Sequence, residues 1–149
     1  MLANWNNKYL CCPKAIEMKI QFKINAKVTA EAVVEVFKSS GINRPVDDVM
    51  RIKRMLDHSN LIVSAWDGVV LIGIARSLTD FNYCCYLSDL AVKKEYQKRG
   101  IGKSLIEITQ ETIGEQTMLL LLSADAALDY YPKIGFEKVE NGFVIKRKV

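Results

Sequence analysis

The chain has 149 residues, 50% of them hydrophobic and 26% charged, with a net charge of +4. That length suits one domain with its own core and is short for two. The mild positive charge suits an anionic ligand, but it is not the concentrated basic stripe of a nucleic-acid binder, and no apolar run reaches membrane-spanning length. The four cysteines fall in two adjacent pairs, Cys11-Cys12 and Cys84-Cys85, and the single histidine is His58. Adjacent cysteines in a strand point to opposite faces, and neither pair has the spacing of a zinc site. Reduced thiols, no metal and a cytoplasmic location are therefore expected.

Residues 1–15 show no clear period and no apolar core of signal-peptide length; they read as a loose arm before a single domain over 16–149. From Glu17 to Asn25 the pattern alternates, with Met18, Ile20, Phe22 and Ile24 on one face, as in a half-buried strand. Thr29 can cap a helix to Ser39 or Ser40, with Gly41 as its stop. Pro45 suits the first position of a second helix, followed by Asp47 and Asp48 and ending near His58. Its expected buried face is Val46, Val49, Met50, Lys53 and Leu56. His58 suits a cap or surface group more than a base.

Leu61 to Trp66 and Val69 to Leu78 flank Asp67-Gly68, a two-residue hairpin signal. A turn over Thr79 to Asn82 leads to a third strand, Tyr83 to Val92, completing an antiparallel meander. Gly102 to Ile113 is helical, with Leu105, Ile106, Ile108, Thr109 and Ile113 toward the core. Met118 to Ser123 is an apolar run reached by a helical crossover, hence a buried strand parallel to its predecessor. A short helix near Asp125 to Tyr131 is limited by Pro132 and Gly135. Finally Phe136 to Glu140 and Phe143 to Arg147 flank Asn141-Gly142, a second hairpin signal.

One segment carries chemistry. Gln97-Lys98-Arg99-Gly100-Ile101-Gly102-Lys103-Ser104 leaves a strand and opens a helix. The first turn of a helix has N–H groups without intrahelical partners and a positive potential, and glycines let an anion approach the backbone. In isolation the same residues also suit an ordinary turn with solvated basic side chains. A P-loop is excluded, because its first glycine would fall at Gln97, and a dinucleotide fingerprint fails at Leu105.

The pattern Q/R-x-x-G-x-G/A, matched by Gln97, Gly100 and Gly102, resembles that of the GNAT acetyltransferases. Tyr131-Pro132-Lys133-Ile134-Gly135-Phe136 resembles that family's Y-x-x-x-G-F segment, and the likeness runs from about Met18 to Arg147. It implies an α/β (α+β) fold: a mixed, mostly antiparallel sheet of about seven strands, with splayed parallel fourth and fifth strands and about four flanking helices. The implied activity is transfer of acetyl from acetyl-coenzyme A to a primary amine by direct attack on the thioester. A small-molecule amine is favoured and a protein amine is the other acceptor. A non-catalytic module that senses acyl-coenzyme A or binds a partner is the alternative.

By the same resemblance, backbone groups of Leu90, Ala91 and Val92 meet the pantetheine arm, with the Leu90 N–H as oxyanion donor. Amides of Lys98, Arg99, Gly100, Ile101, Gly102, Lys103 and Ser104 hold the pyrophosphate. Tyr131 becomes the general-acid candidate, although its residue chemistry alone suits an aromatic packing role. Asp89 is the candidate base, directly or through water; a salt bridge or a bulge would equally account for an aspartate inside a strand. Asp125 stands where relatives carry an asparagine that contacts the cofactor, but an ionised aspartate cannot donate, and capping the short helix is its other reading. A homodimer is a further implication of the family.

Overall fold

The computed structural model describes residues 19–148, so the N-terminal arm, Cys11 and Cys12 lie outside the described residues. The elements in chain order are β1 (Ile20–Ile24), α1 (Ala30–Ser40), α2 (Val49–Asp57), β2 (Leu61–Asp67), β3 (Val70–Thr79), β4 (Cys84–Val92), α3 (Ile101–Ile113) and β5 (Met118–Leu121). Three 3-10 turns lie at Lys94–Tyr96, Asp125–Ala127 and Pro132–Ile134. The strands form one sheet in the order β1-β2-β3-β4-β5, antiparallel throughout except for the parallel β4–β5 pair. No helix among the described residues is long and apolar enough to cross a membrane.

Period-two patterning splits the core between the two faces of the sheet. Leu61, Val63 and Ala65 of β2 pack with Ile72, Leu87, Leu105 and Ile106 under α3. Ile62, Leu71, Ile74 and Ala91 pack with Val33, Phe37, Ile52 and Leu56 under α1 and α2. Helix α1 starts where expected: the Thr29 hydroxyl accepts from the Ala32 N–H at 3.2 Å, and Gly41 ends the helix at φ 78°.

Several boundaries differ from expectation. Helix α2 begins at Val49 rather than Pro45, because residues 45–48 close a turn (Asp48 N–H to Pro45 O, 3.1 Å) and Asp48 then caps the Arg51 N–H at 2.8 Å. Its buried residues are Ile52 and Leu56, whereas Met50 is exposed. The β2–β3 turn is Gly68-Val69, one residue later than expected, since Asp67 still pairs with Val70 and only Gly68 has a positive φ there. His58 caps the end of α2, its exposed ring Nδ1 2.8 Å from the Arg54 carbonyl.

The C-terminal part departs most. Among the described residues there are five strands rather than about seven, and three α-helices rather than about four. The helix expected near Asp125 to Tyr131 is replaced by 3-10 turns, the second ended by Gly135 at φ 97°. The strands expected at Phe136 to Glu140 and Phe143 to Arg147 are absent, and Phe143 and Ile145 are fully exposed. A turn dipeptide such as Asn141-Gly142 supplies local geometry, but a two-stranded hairpin needs a buried face to persist. Here only Phe136 is half-buried, and residues 137–148 are exposed.

Candidate active site

The site is built on β4, and its form depends on one irregularity. Pairing runs Ser77↔Leu87 and then Arg76↔Asp89, so Ser88 is an extra residue, a β-bulge. Cys85 and Leu87 lie on the α3 face, and strict alternation would place Asp89 there too, in apolar surroundings. The bulge turns Asp89 to the α1/α2 face, opposite Arg76.

There Asp89 is fully buried between two guanidinium groups, with Arg44 Nε donating to one carboxylate oxygen and Arg76 Nε to the other. Arg76 also donates to the Ser88 hydroxyl at 2.8 Å and to Ser59 Oγ at 2.9 Å. Arg44 reaches over from the α1–α2 connection and donates to the Ser88 carbonyl at 2.6 Å. The salt bridge and the bulge, both raised from sequence as reasons for an aspartate here, are present together.

The bulge also marks where the sheet opens. Strands β4 and β5 pair only from Cys84↔Met118 to Leu87↔Leu121, while β4 continues to Val92. In an antiparallel pair, peptide groups point alternately toward and away from the partner. The Lys93 N–H donates to the Ile72 carbonyl of β3 at 2.8 Å, so those of Ala91 and Asp89 also face β3. Those of Leu90 and Val92 therefore face the gap that β5 leaves. The side-chain amide of Gln97 donates to the Val92 carbonyl at 2.9 Å and closes the far end.

Beyond Val92 the chain is pinned before it enters α3. Ser39 Oγ of α1 accepts the Lys94 N–H at 3.0 Å and donates to Glu95 at 3.3 Å. Tyr96 donates its hydroxyl to Asp67 at 2.8 Å, which together with burial raises the Tyr96 pKa, and Arg99 lies 5.5 Å from that ring. Lys98 adopts φ 62°, a conformation uncommon for a side-chain-bearing residue. Gly100 is the N-cap of α3 at φ 79° and supplies no side-chain cap. The first N–H groups of α3 thus lack a side-chain partner, with Lys98, Arg99 and Lys103 exposed around them and Ser104 half-buried. Helix geometry leaves these donors open to an anion.

The chain returns to the gap after β5. Tyr131 is half-buried against the α3-face core and packs edge-on against Tyr130 and Phe136, at centroid distances of 5.4 and 5.5 Å. Burial raises its pKa, opposed by the positive field of Arg44. Asp125 opens the turn after β5, exposed; Ala124 is the N-cap and no side chain caps this turn, so the expected capping role is absent.

Arg44, Arg76 and Ser88 were not expected as site residues. Arg44 stands in the Asn43-Arg44-Pro45 stretch before α2, but its reach to β4 leaves no sequence signal. A cavity of about 1260 Å³ lies between the end of α3, β5 and the C-terminal segment; Tyr131 and Phe136 line it, but neither the open part of β4 nor the 97–104 loop does. No group of three or more metal-ligating side chains occurs among the described residues.

Comparison with known proteins agrees with this architecture. The family model for the acetyltransferase (GNAT) domain matches residues 24–146. An uncharacterized N-acetyltransferase, ycf52, of Porphyra purpurea is 26% identical over 135 residues, covering 85% of this chain and 76% of that protein. The chloroplastic GCN5-related N-acetyltransferase 2 of Arabidopsis thaliana is 34% identical over 77 residues, 48% of this chain but only 29% of that protein. Among solved structures, a GNAT family protein of Streptococcus pneumoniae superimposes with TM-score 0.69 at 24% identity, covering 87% of this chain and 99% of that one. The aminoglycoside N-acetyltransferase AAC(6')-Iy in complex with CoA superimposes with TM-score 0.65 at 18% identity, covering 87% and 95%. The matched domain, together with a fourth strand that parts from a parallel fifth, identifies this chain as a member of the GNAT acetyltransferase family.

Proposed function

We propose that this chain transfers the acetyl group of acetyl-coenzyme A to a primary amine, by direct attack of the amine on the thioester. The supporting observation is the continuity of two open donor sets: gap-facing peptide groups at Leu90 and Val92, and the uncapped first turn of α3 beyond them. Their chemistry fits the two ends of coenzyme A. Strand-like groups suit the amides of pantetheine, whereas N–H groups in a positive field suit a diphosphate.

The cosubstrate supplies an activated acyl group; the residues supply position and charge. The amides from Lys98 to Ser104 hold the diphosphate, helped by the charges of Lys98, Arg99 and Lys103. Ala91 shapes the wall between Leu90 and Val92, and Asp125, which can only accept, meets an amide N–H of the arm. The Leu90 N–H donates to the thioester oxygen as negative charge grows on it. As the C–N bond forms and the C–S bond breaks, Tyr131 gives its phenolic proton to the departing sulfur and recovers one, through solvent, from the acylated nitrogen; its raised pKa keeps the phenol protonated at neutral pH before transfer.

Asp89 has both oxygens engaged, so to act as a base it must release a guanidinium. We read it as the anchor that holds Arg44 against the bulge, with the amine arriving already neutral. A small-molecule acceptor is favoured, in line with the aminoglycoside-acetylating neighbours in fold, and a protein amine is the other candidate.

Acetyl-coenzyme A should raise the thermal midpoint of the protein, and no shift at millimolar concentration overturns the proposal. Thiol release is then followed with polyamines, arylalkylamines, aminoglycosides and lysine peptides. Tyr131→Phe should slow turnover about a hundredfold, the scale of one general acid. The committed state of Asp89 favours one other reading, a domain that binds acyl-coenzyme A without turnover. Binding without thiol release from any amine would establish it.

A further inference from the structure

Tyr130 precedes the acid candidate and belongs to neither matched motif, yet it reaches the start of α3. A Cβ built on Gly102 would lie 3.3 Å from the Tyr130 hydroxyl oxygen, closer than ordinary van der Waals contact. The ring is held edge-on by Tyr131 at 5.4 Å, and the backbone is fixed by bonds from the Tyr130 N–H to Ala127 O (3.1 Å) and from the Lys133 N–H to Tyr130 O (3.2 Å). The segment after β5 thus places a phenol against the first turn of α3.

Within the described residues the hydroxyl of Tyr96 is committed to Asp67, while that of Tyr130 enters no hydrogen bond. The residue as a whole is 37% exposed. Burial of the remainder raises its pKa, against the opposing influence of Lys103, so it carries its proton at neutral pH.

We infer that Tyr130 is a further cosubstrate contact, its phenol donating a hydrogen bond to the diphosphate seated on the first turn of α3. This rests on the coenzyme A reading above and adds to it a side-chain donor from the opposite wall of the gap. It also gives the two glycines of the loop separate reasons. Gly100 is needed for its positive φ, whereas Gly102 leaves room for the phenol, since a side chain there would push the hydroxyl away. The phenol makes ligand choice depend on the diphosphate, whatever acyl group or amine is present.

The test is calorimetric titration of wild type and Tyr130→Phe with coenzyme A, with dephospho-coenzyme A, which keeps the diphosphate, and with pantetheine, which lacks it. Phenylalanine keeps the ring and its packing on Tyr131, so the unliganded thermal midpoint should not move. The expected result is about tenfold weaker binding of both diphosphate ligands, the scale of a hydrogen bond to a charged group, with pantetheine unaffected. Equal or tighter binding of coenzyme A by the variant overturns the inference and leaves the function proposal standing. An equal loss for pantetheine also overturns it, because the effect then lies in the shape of the gap. Failure of the wild type to bind coenzyme A overturns both.

Discussion

From Cys85 to Leu87, β4 is paired with β3 on one side and with β5 on the other; beyond the bulged Ser88, from Asp89 to Val92, it is paired with β3 alone. The first half behaves as an interior strand, with Cys85 and Leu87 buried and Cys84 and Tyr86 exposed in strict alternation. The second half holds the bulge, the buried aspartate and the peptide groups that face open space. One strand therefore serves as scaffold for half its length and as binding edge for the other half. The difference shows how an interior strand can offer a free edge: the bulge at Ser88 coincides with the parting, and the two arginines fill the α1/α2 face where Asp89 turns inward.

The sharpest way to break this contrast is to remove the charge at the join. Asp89→Asn leaves two guanidinium groups without their shared carboxylate, and loss of one member of a buried pair costs about 3 kcal/mol or more. A large fall in the denaturation midpoint is expected. If Asp89 is an anchor, the surviving folded fraction should keep the pH profile of kcat/KM; loss of an ionisable limb would restore the base reading.

The next effect distinguishes neighbouring peptide groups. Leu90→Pro removes an N–H that faces the gap, so no bond to β3 is lost, and turnover should fall by about 100-fold or more, as on loss of an oxyanion donor. Ala91→Pro removes an N–H committed to β3 and should cost stability instead. Measuring both variants by thermal melting and thiol release checks the alternation, and equal behaviour would refute it.

A smaller change concerns the loop beyond the open end. Lys98 sits at φ 62°, where glycine is at ease, so Lys98→Gly should stabilise the fold by roughly 0.5–1 kcal/mol in denaturant titration. It should also weaken coenzyme A slightly through the lost charge.

The least effect is expected at the paired end. Asp80 accepts the backbone N–H groups of Asn82, Tyr83 and Cys84, and these bonds lower its pKa to about 2. Because the folded value lies below the ordinary one, the stabilisation is complete above pH 4 and is lost as pH falls toward 2. An Asp80→Ala variant should melt lower than wild type at pH 7, with the gap closing across that acid range.

The readings from sequence succeeded where the signal was local. Thr29 and Gly41 bound α1 through a cap and a positive φ, both written in residue type. The meander of β2 to β4 was marked by apolar runs separated by turn residues, the stripe Leu105, Ile106, Thr109, Ile113 follows from burial of one helix face, and Gly100 sits where a left-handed cap is needed. Pro45 misled because a proline that suits the first turn of a helix also suits the turn before it, and only the Asp48 cap decides between them. Asn141-Gly142 misled because a turn signal says nothing about whether the flanking strands find a surface to cover.

From the chain alone came the order of elements as far as β5, the two motifs, the family resemblance and the tyrosine and glycine positions worth testing, because each rests on spacing along the backbone. Only the three-dimensional arrangement decided that Asp89 lies between Arg44 and Arg76, that Leu90 and Val92 face the gap while Ala91 does not, and that Tyr130 stands over Gly102. These facts join residues 13 to 45 positions apart, or hang on a single inserted residue that reverses which side the chain faces. Such relations arise from packing, and no local pattern encodes them.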